Sequence, residues 1–349
     1  LIYLLRLKSI FNALLVAAFL LALDAGAAPM LTDLWNGQGV WVKDTGSIGA
    51  SFDFHFISIL KGSDELRAYY IHNYTMPDGK FKMTIARARG TDGLNWINDG
   101  MVLDIGRPAQ PEKEITPIWD DRLSSFPGIW KDGDTWYLVY EGASENIPFS
   151  PGDIGLATSK DGKRFVRSPI NPILRHNTNG WERVNIGTPS LYKENGVWYL
   201  FYHGFDRGTC QIGVASGTRL TNLSKSASNP ILPVSPETTA WDSGTAGKRS
   251  SIVKEGSYYY LAFEGSTPQP YEQAKWSSGL ARSTNLLSGW TKCPANPMIP
   301  LTLGGMGYDG PELLRLGETW YLYVRTPGGN KTERFRLESR PHPRNSQTP

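Results

Sequence analysis

One passage recurs along this chain about every 60 residues, and it is written as two strands joined by a tight turn. It reads Phe126-Pro-Gly-Ile-Trp-Lys-Asp-Gly-Asp-Thr-Trp-Tyr-Leu-Val-Tyr-Glu-Gly142. It returns as Thr188-Pro-Ser-Leu-Tyr-Lys-Glu-Asn-Gly-Val-Trp-Tyr-Leu-Phe-Tyr-His-Gly204 and as Arg249-Ser-Ser-Ile-Val-Lys-Glu-Gly-Ser-Tyr-Tyr-Tyr-Leu-Ala-Phe-Glu-Gly265. Fainter copies run from Phe56 to Asn73 and from Gly310 to Arg325. A repeated hairpin cannot bury its apolar faces alone and must stack on its neighbours. Five copies therefore predict an all-β fold, a five-bladed β-propeller with four antiparallel strands per blade.

The second copy shows how one unit is built. Gly128-Ile-Trp-Lys reads as a strand, Asp132-Gly133-Asp134 as a turn with glycine at the φ > 0 position, and Trp136 to Glu141 as the return strand. Ile154 to Ser159 reads as a third strand, and Phe165-Val-Arg opens a fourth, closed by Asn171-Pro-Ile-Leu174. The next units repeat this closure as Asn229-Pro-Ile-Leu232 and Asn296-Pro-Met-Ile299. After Arg325 only Thr332 to Leu337 reads as a strand, so the last unit lacks its outer member. Gly39 to Asp44 resembles the fourth strand of other units. It is expected to complete the last blade and close the ring, hiding edges that would otherwise be exposed.

Arg6 and Lys8 precede an apolar run from Phe11 to Leu23, and Ala25-Gly26-Ala27 supplies small residues for cleavage. Residues 1–27 therefore read as a signal peptide, too short in its apolar part for a membrane span. The propeller is expected over 28–338 and a Pro-, Arg- and Ser-rich tail over 339–349. Export implies a secreted or periplasmic protein, with no membrane contact after signal cleavage. Cys210 and Cys293 have two readings, a disulfide or two core thiols. Net charge is +3 without a basic cluster, which argues against nucleic acid. Aromatic residues form 12 % of the chain, a level that suits both strands and surfaces that stack on sugar rings. A monomer is expected.

In each blade the first two strands are antiparallel, so the start of one and the end of the next share a face of the disc. The second strands end in Glu141, His203, Glu264 and, in the outer copies, His72-Asn73 and Arg325. The first strands are approached through Asp53 and His55, Asp120-Asp121, Glu182, Asp242 to Arg249, and Asp309. One face should thus carry a ring of carboxylates, histidines and arginines. Crowded carboxylates raise one another's pKa, which lets a general acid and a general base coexist near neutral pH. The pairs Trp119-Asp120, Trp181-Glu182 and Trp241-Asp242 recur at near-constant offset and read as scaffolding. The series Glu141, His203, Glu264 changes identity from blade to blade, as a site requires. Asp53 and His55 break the repeat. His55, Glu141, His203, Arg249, Asp309 and Arg325 are the expected substrate-binding residues. No metal spacing, phosphate loop or Gly-x-Ser-x-Gly elbow is present, so no metal or cofactor is expected. Asp132-Gly-Asp134 resembles part of a calcium loop but is explained as a hairpin turn.

Pro-Ser-Leu-Tyr-Lys to Trp-Tyr-Leu-Phe-Tyr, with Asn-Pro-Ile-Leu between blades, resembles the five-bladed propeller glycosidases, glycoside hydrolase family 43 and its relatives in families 32, 62, 117 and 130. The resemblance covers nearly all of residues 28–338. It implies acidic residues at the inner strand ends, beginning with an Asp in the first blade; by position Asp53 resembles that residue, the base or nucleophile. The usual Asp-Pro is Asp53-Phe54 here, and Thr188-Pro189 stands where family 43 often has Asp-Pro. Glu264 is the nearest carboxylate to the family's fourth-blade general acid. Asp53, Glu264 and Asp121 are accordingly the candidate catalytic residues. The function expected is a glycoside hydrolase that cleaves a poly- or oligosaccharide by two-carboxylate catalysis in the axial funnel. The alternatives are a non-catalytic carbohydrate-binding propeller and a glycoside phosphorylase of the same fold.

Overall fold

The computed structural model describes residues 28–45, 48, 50–106, 118–145, 152–270, 272–303 and 307–341, with the side chains of 248–250 set aside. The expected signal peptide, residues 342–349 of the expected tail and the Arg249 side chain lie outside the described residues. A short helix α1 (Leu31–Trp35) and strand β1 (Gly39–Lys43) come first. Four units follow. The first holds β2 (Ser58–Lys61), β3 (Leu66–Thr75), β4 (Phe81–Gly90) and β5 (Ile97–Leu103), and the second β6 (Leu123–Asp132), β7 (Thr135–Ala143), β8 (Asp153–Ser159) and β9 (Val166–Arg167). The third holds β10 (Asn185–Glu194), β11 (Val197–Phe205), β12 (Cys210–Arg219) and β13 (Asn222–Lys225). The fourth holds β14 (Thr245–Glu255), β15 (Tyr258–Ser266), β16 (Lys275–Ser283) and β17 (Thr291–Lys292), followed by a short β18 (Thr302–Leu303) that pairs with β16.

The last unit is β19 (Glu312–Leu316), β20 (Thr319–Arg325), β21 (Thr332–Ser339) and β1, in the sheet order β1-β21-β20-β19. The N-terminal strand thus completes the final blade, Trp41 lying opposite Leu337. The Arg340 N–H donates to the Gln38 carbonyl at 2.7 Å, so the blade's contacts run past the expected boundary at 338. The innermost strands touch in the cyclic order β2, β6, β10, β14, β19 and back to β2.

Side-chain alternation along the second strand of each blade explains how the ring packs. Successive residues point to opposite faces of a strand. On β7, Leu138 and Tyr140 pack toward the first blade while Val139 packs toward the third. On β15, Leu261 and Phe263 face the third blade while Tyr260 and Ala262 face the fifth. Five apolar clusters result, one in each seam. Both faces of these strands are buried, which is why they read as nearly continuous apolar runs. Cys210 and Cys293 are both buried and are not joined in a disulfide, which settles their two readings in favour of thiols.

The repeated Asn of the interblade motif stands in for a strand partner. Asn171 Oδ1 accepts from the Leu156 N–H at 2.9 Å while its Nδ2 donates to the Leu156 carbonyl at 3.0 Å. Asn229 does the same to Val214, and Asn296 to Leu280. One side-chain amide thereby satisfies the backbone N–H where the outer strand has ended and adds a second donor to the carbonyl, which also accepts from the N–H of Ser168, Ser226 or Cys293.

Glu255 fastens the N-terminal segment across the seam of blades four and five. It accepts from the N–H groups of Leu31 (3.1 Å) and Thr32 (3.0 Å) at the start of α1, and from Trp320 Nε1 (2.8 Å). Glu255→Ala would leave these three donors, and a longer contact from Thr32 Oγ1 at 3.4 Å, without this acceptor. It is expected to lower unfolding stability by about 2–4 kcal/mol in urea denaturation, without altering ligand binding on the axis.

Candidate functional site

Each inner strand enters the ring through a kink. The pairing registers slip between Ser125 and Gly128, Gly187 and Ser190, and Gly247 and Ser250. Phe56, Phe126 and Thr188 occupy the left-handed region at this place, with φ of 48°, 52° and 42°, and in the last blade Gly310 does so at 59°. Left-handed backbone is uncommon for residues other than glycine and concentrates at sites where the surrounding structure holds it. Phe56, Phe126 and Thr188 all line one cavity of about 980 Å³, into which residues of all five blades project.

At the seam of blades two and three, Glu141 ends β7 and lines the cavity. Its Oε2 accepts from the Thr188 N–H at 3.0 Å. Thr188 Oγ1 and His203 Nδ1 are 2.8 Å apart, so Glu141, Thr188 and His203 form one hydrogen-bonded cluster on the wall. Gly187 makes room for it, since a Cβ there would sit 1.9 Å from Glu141 Oε2 and 2.8 Å from His203 Cε1.

At the seam of blades five and one, Asp53 is exposed to the cavity, and Asn330 Nδ2 donates to its Oδ2 at 3.3 Å. Arg325 ends β20 and grips Asp309 with two parallel bonds, Nε to Oδ1 at 2.8 Å and Nη2 to Oδ2. The Arg325 guanidinium also lies over the Phe56 ring, 4.7 Å from its centroid. Beside this pair His55 is only 3 % exposed, yet neither ring nitrogen has a hydrogen-bond partner. Burial, reinforced by the positive charge of Arg325 and opposed by Asp53, pushes the imidazole down to about 4.

Of the residues predicted from sequence, the cavity brings together Asp53, His55, Glu141, His203 and Arg325. Two of the three candidate catalytic residues stand elsewhere. Glu264 is fully buried and is no part of the cavity wall; its Oε2 accepts from the Gly310 N–H at 3.0 Å and ties blade four to blade five. Asp121 uses Oδ1 to accept from the Glu145 N–H at 2.9 Å and also lies off the cavity wall. Asp309, 1 % exposed, serves Arg325 rather than facing the cavity.

The repeated Trp-acid pairs do hold the blades. Trp119 stacks on Tyr140 and Trp181 on Tyr202, each pressed onto the glycine that ends the strand. The acids reach cations of the outer strand: Asp120 pairs with Arg167 at 2.8 Å, Glu182 with Lys225, and Asp242 with Lys292 at 2.5 Å. Burial, followed by the nearby Asp120 charge, raises the Tyr140 phenol, so it donates to Asp120 Oδ2 at 3.0 Å.

The cavity also recruits residues that sequence reading did not select as a site. Asn73, Asn185, Arg207 and Asn330 add polar groups, and Phe81, Phe126, Phe205 and Trp276 add aromatic surface. Thr188 was visible only as a departure from Asp-Pro. Arg207 and Asn330 come from loops outside the repeated hairpin, while Trp276 stands near the start of β16 at the place that Cys210 holds on β12. Among the described residues no cluster of His, Cys, Asp or Glu is placed to hold a metal ion.

The His55 environment sets an acid limit on the fold. The ring is harder to protonate folded than unfolded, where it titrates near 6.5. The unfolded chain therefore binds more protons between those values. The contribution of His55 is complete above pH 6.5 and is lost as pH falls toward 4. The expected loss is about 3 kcal/mol. Unfolding free energies of the parent and His55→Asn, measured across this window, should diverge in slope, the variant being the less pH-dependent.

No protein-family model matches the chain, and no curated protein sequence matches it. Solved structures do. A thermostable family-43 glycoside hydrolase aligns at 15% identity with a TM-score of 0.57, covering 85% of this chain and 92% of that one. A family 117 glycoside hydrolase from the marine bacterium Zobellia galactanivorans aligns at 12% identity with a TM-score of 0.59, covering 86% and 90%. The β-1,2-mannobiose phosphorylase from Listeria innocua, in complex with β-1,2-mannobiose, aligns at 14% identity with a TM-score of 0.54, covering 85% and 92%. The chain thus has the β-propeller fold on which these glycoside hydrolases and this phosphorylase are built.

Proposed function

We propose that this protein is a glycoside hydrolase acting on a poly- or oligosaccharide, with its active site in the axial cavity. The observation that carries this reading is the composition of the cavity wall. Two carboxylates, Asp53 and Glu141, share it with neutral polar atoms that are buried and lack partners: both His55 nitrogens, Asn73 Oδ1 and Asn185 Oδ1. Buried polar groups are normally hydrogen-bonded, so such atoms in a cavity suit a ligand that supplies the bonds. A neutral ligand with many hydroxyls and apolar C–H faces does so, and Phe56, Phe126 and Trp276 provide surfaces for those faces. The leader-like residues 1–27 support an exported enzyme.

Asp53 is assigned as base or nucleophile. It faces the cavity with one long side-chain contact, which leaves carboxylate lone pairs for water or the anomeric carbon. Glu141 is assigned as the proton donor to the leaving oxygen, positioned by the Thr188 N–H. This places the second carboxylate in blade two rather than at Glu264. Arg325 is engaged by Asp309, so among the described residues the unengaged arginine of the wall is Arg207, a single charge rather than a basic phosphate pocket.

Asp53→Asn and Glu141→Gln are each expected to lower kcat by about 10²–10⁴-fold while leaving the fold intact. An aryl glycoside with an activated leaving group should partly restore Glu141→Gln, since it needs no protonation. Glu264→Gln should lower stability without that leaving-group dependence. The assay is turnover on aryl furanosides, aryl pyranosides and polysaccharides. Near-parent turnover by Asp53→Asn would remove it from the mechanism, and binding without turnover by the parent would mark a carbohydrate-binding propeller. Gly187→Ala, by displacing the Glu141 carboxylate, should lower kcat more than it lowers the melting temperature.

A further inference from the structure

We propose that His55 is the substrate-reading residue of this site, its ring presenting an N–H donor on one edge and a nitrogen acceptor on the other to sugar hydroxyls that lie on either side of it. The proposal rests on the glycoside reading above and names what the cavity recognises. Three observations support it. First, His55 lines the cavity and is buried, yet Nδ1 and Nε2 both lack partners. The other cavity histidine, His203, spends Nδ1 on Thr188, so the two rings differ in what they have left to offer. Second, the ring is held without using its nitrogens. The His55 carbonyl accepts from the Ile71 N–H at 3.3 Å, and the ring packs edge-on against Phe56 at 5.6 Å. Third, the ring stays neutral through the working range, because burial and the adjacent Arg325 disfavour its protonated form. A neutral imidazole is at once donor and acceptor, matching one hydroxyl on each edge of the ring, whereas an imidazolium could only donate.

A site built to hydrogen-bond hydroxyls rejects an analogue that lacks one far more strongly than an apolar pocket does, because its own polar atoms are left unpaired. His55 is thus a specificity residue, with Asp53 next to it for chemistry.

The experiment follows the ring itself. The chain has only 5 histidines, so the long-range ¹⁵N–¹H imidazole spectrum is simple, and His55→Phe identifies the His55 signals. Arabinose, xylose, galactose, mannose, fucose and fructose are titrated as free sugars into the parent and into His55→Phe at pH 7, with melting temperatures and circular dichroism recorded for both. The expected result is that at least one sugar shifts a His55 nitrogen and that His55→Phe binds it at least 10-fold more weakly while remaining folded. His55→Gln, which keeps one donor and one acceptor, should recover part of the affinity and serves as the second variant should His55→Phe not fold. The proposal is overturned if no sugar moves the His55 signals, or if the folded variants bind sugars as tightly as the parent. The hydrolase reading fails separately: a parent that binds sugar through His55 and cleaves no glycoside keeps this inference and loses that one.

Discussion

The inner strands of a propeller line its axis side by side but do not pair with one another as a sheet, so their inward-facing backbone donors need acceptors from elsewhere. At three of the five seams this chain meets that constraint with one position of its repeat, two residues past the kink. Ser58 Oγ accepts from the Ile129 N–H at 3.4 Å, Ser251 Oγ from Leu313 at 3.1 Å, and Glu312 Oε1 from Ile59 at 2.8 Å. Each bond runs from one blade to the next in the same rotational sense. A second series, at the ends of the second strands, repeats the device at the kinks through Glu141 to Thr188 and Glu264 to Gly310. The axis is therefore a ring of polar stitches before it is a site.

The cavity takes what this stitching leaves over. Most of the carboxylates near the axis are committed to scaffolding: Asp120, Glu182 and Asp242 to outer-strand cations, Asp309 to Arg325, Glu264 to a backbone donor. Glu141 belongs to the same series as Glu264 but also borders the cavity, because Gly152 and Gly187 leave space around its carboxylate. Asp53 lies in the first unit, outside the stitched positions. A site made this way sits on rigid strand ends, and its walls vary with the loops between them.

The architecture was legible because it is periodic. Five hairpins, the strand borrowed from the N-terminus and the convergence of strand ends on one face all follow from spacing and strand direction. The site was less legible for a physical reason. Glu141 and Glu264 hold equivalent positions with the same chemistry, and only the neighbouring loops decide which one meets the cavity. Asp309 and Arg325 each looked like a ligand contact, and only the fold reveals that they satisfy each other across 16 residues. Asn171, Asn229 and Asn296 read as punctuation between blades, whereas in space they act as surrogate strand partners. Asp53 and His55 were found because they break the repeat; Arg207 and Asn330 come from stretches with no repeat to break, and Trp276 sits on a repeated strand whose third-blade counterpart is Cys210.

The strand borrowed by the last blade brings the two ends of the propeller together, with Gly39 opposite Ser339 and Arg340 bonded to Gln38. The order in which the units occur along the chain is then nearly independent of the ring they form. A circular permutant that joined these ends and opened the chain at an exposed hairpin, such as Asp132-Gly133-Asp134, would keep every seam and every axial stitch while moving the termini to a different blade. Such a ring has a cut rather than a beginning, and the cut lies between β21 and its borrowed partner, at the outer edge of the disc, where the axial cavity does not reach.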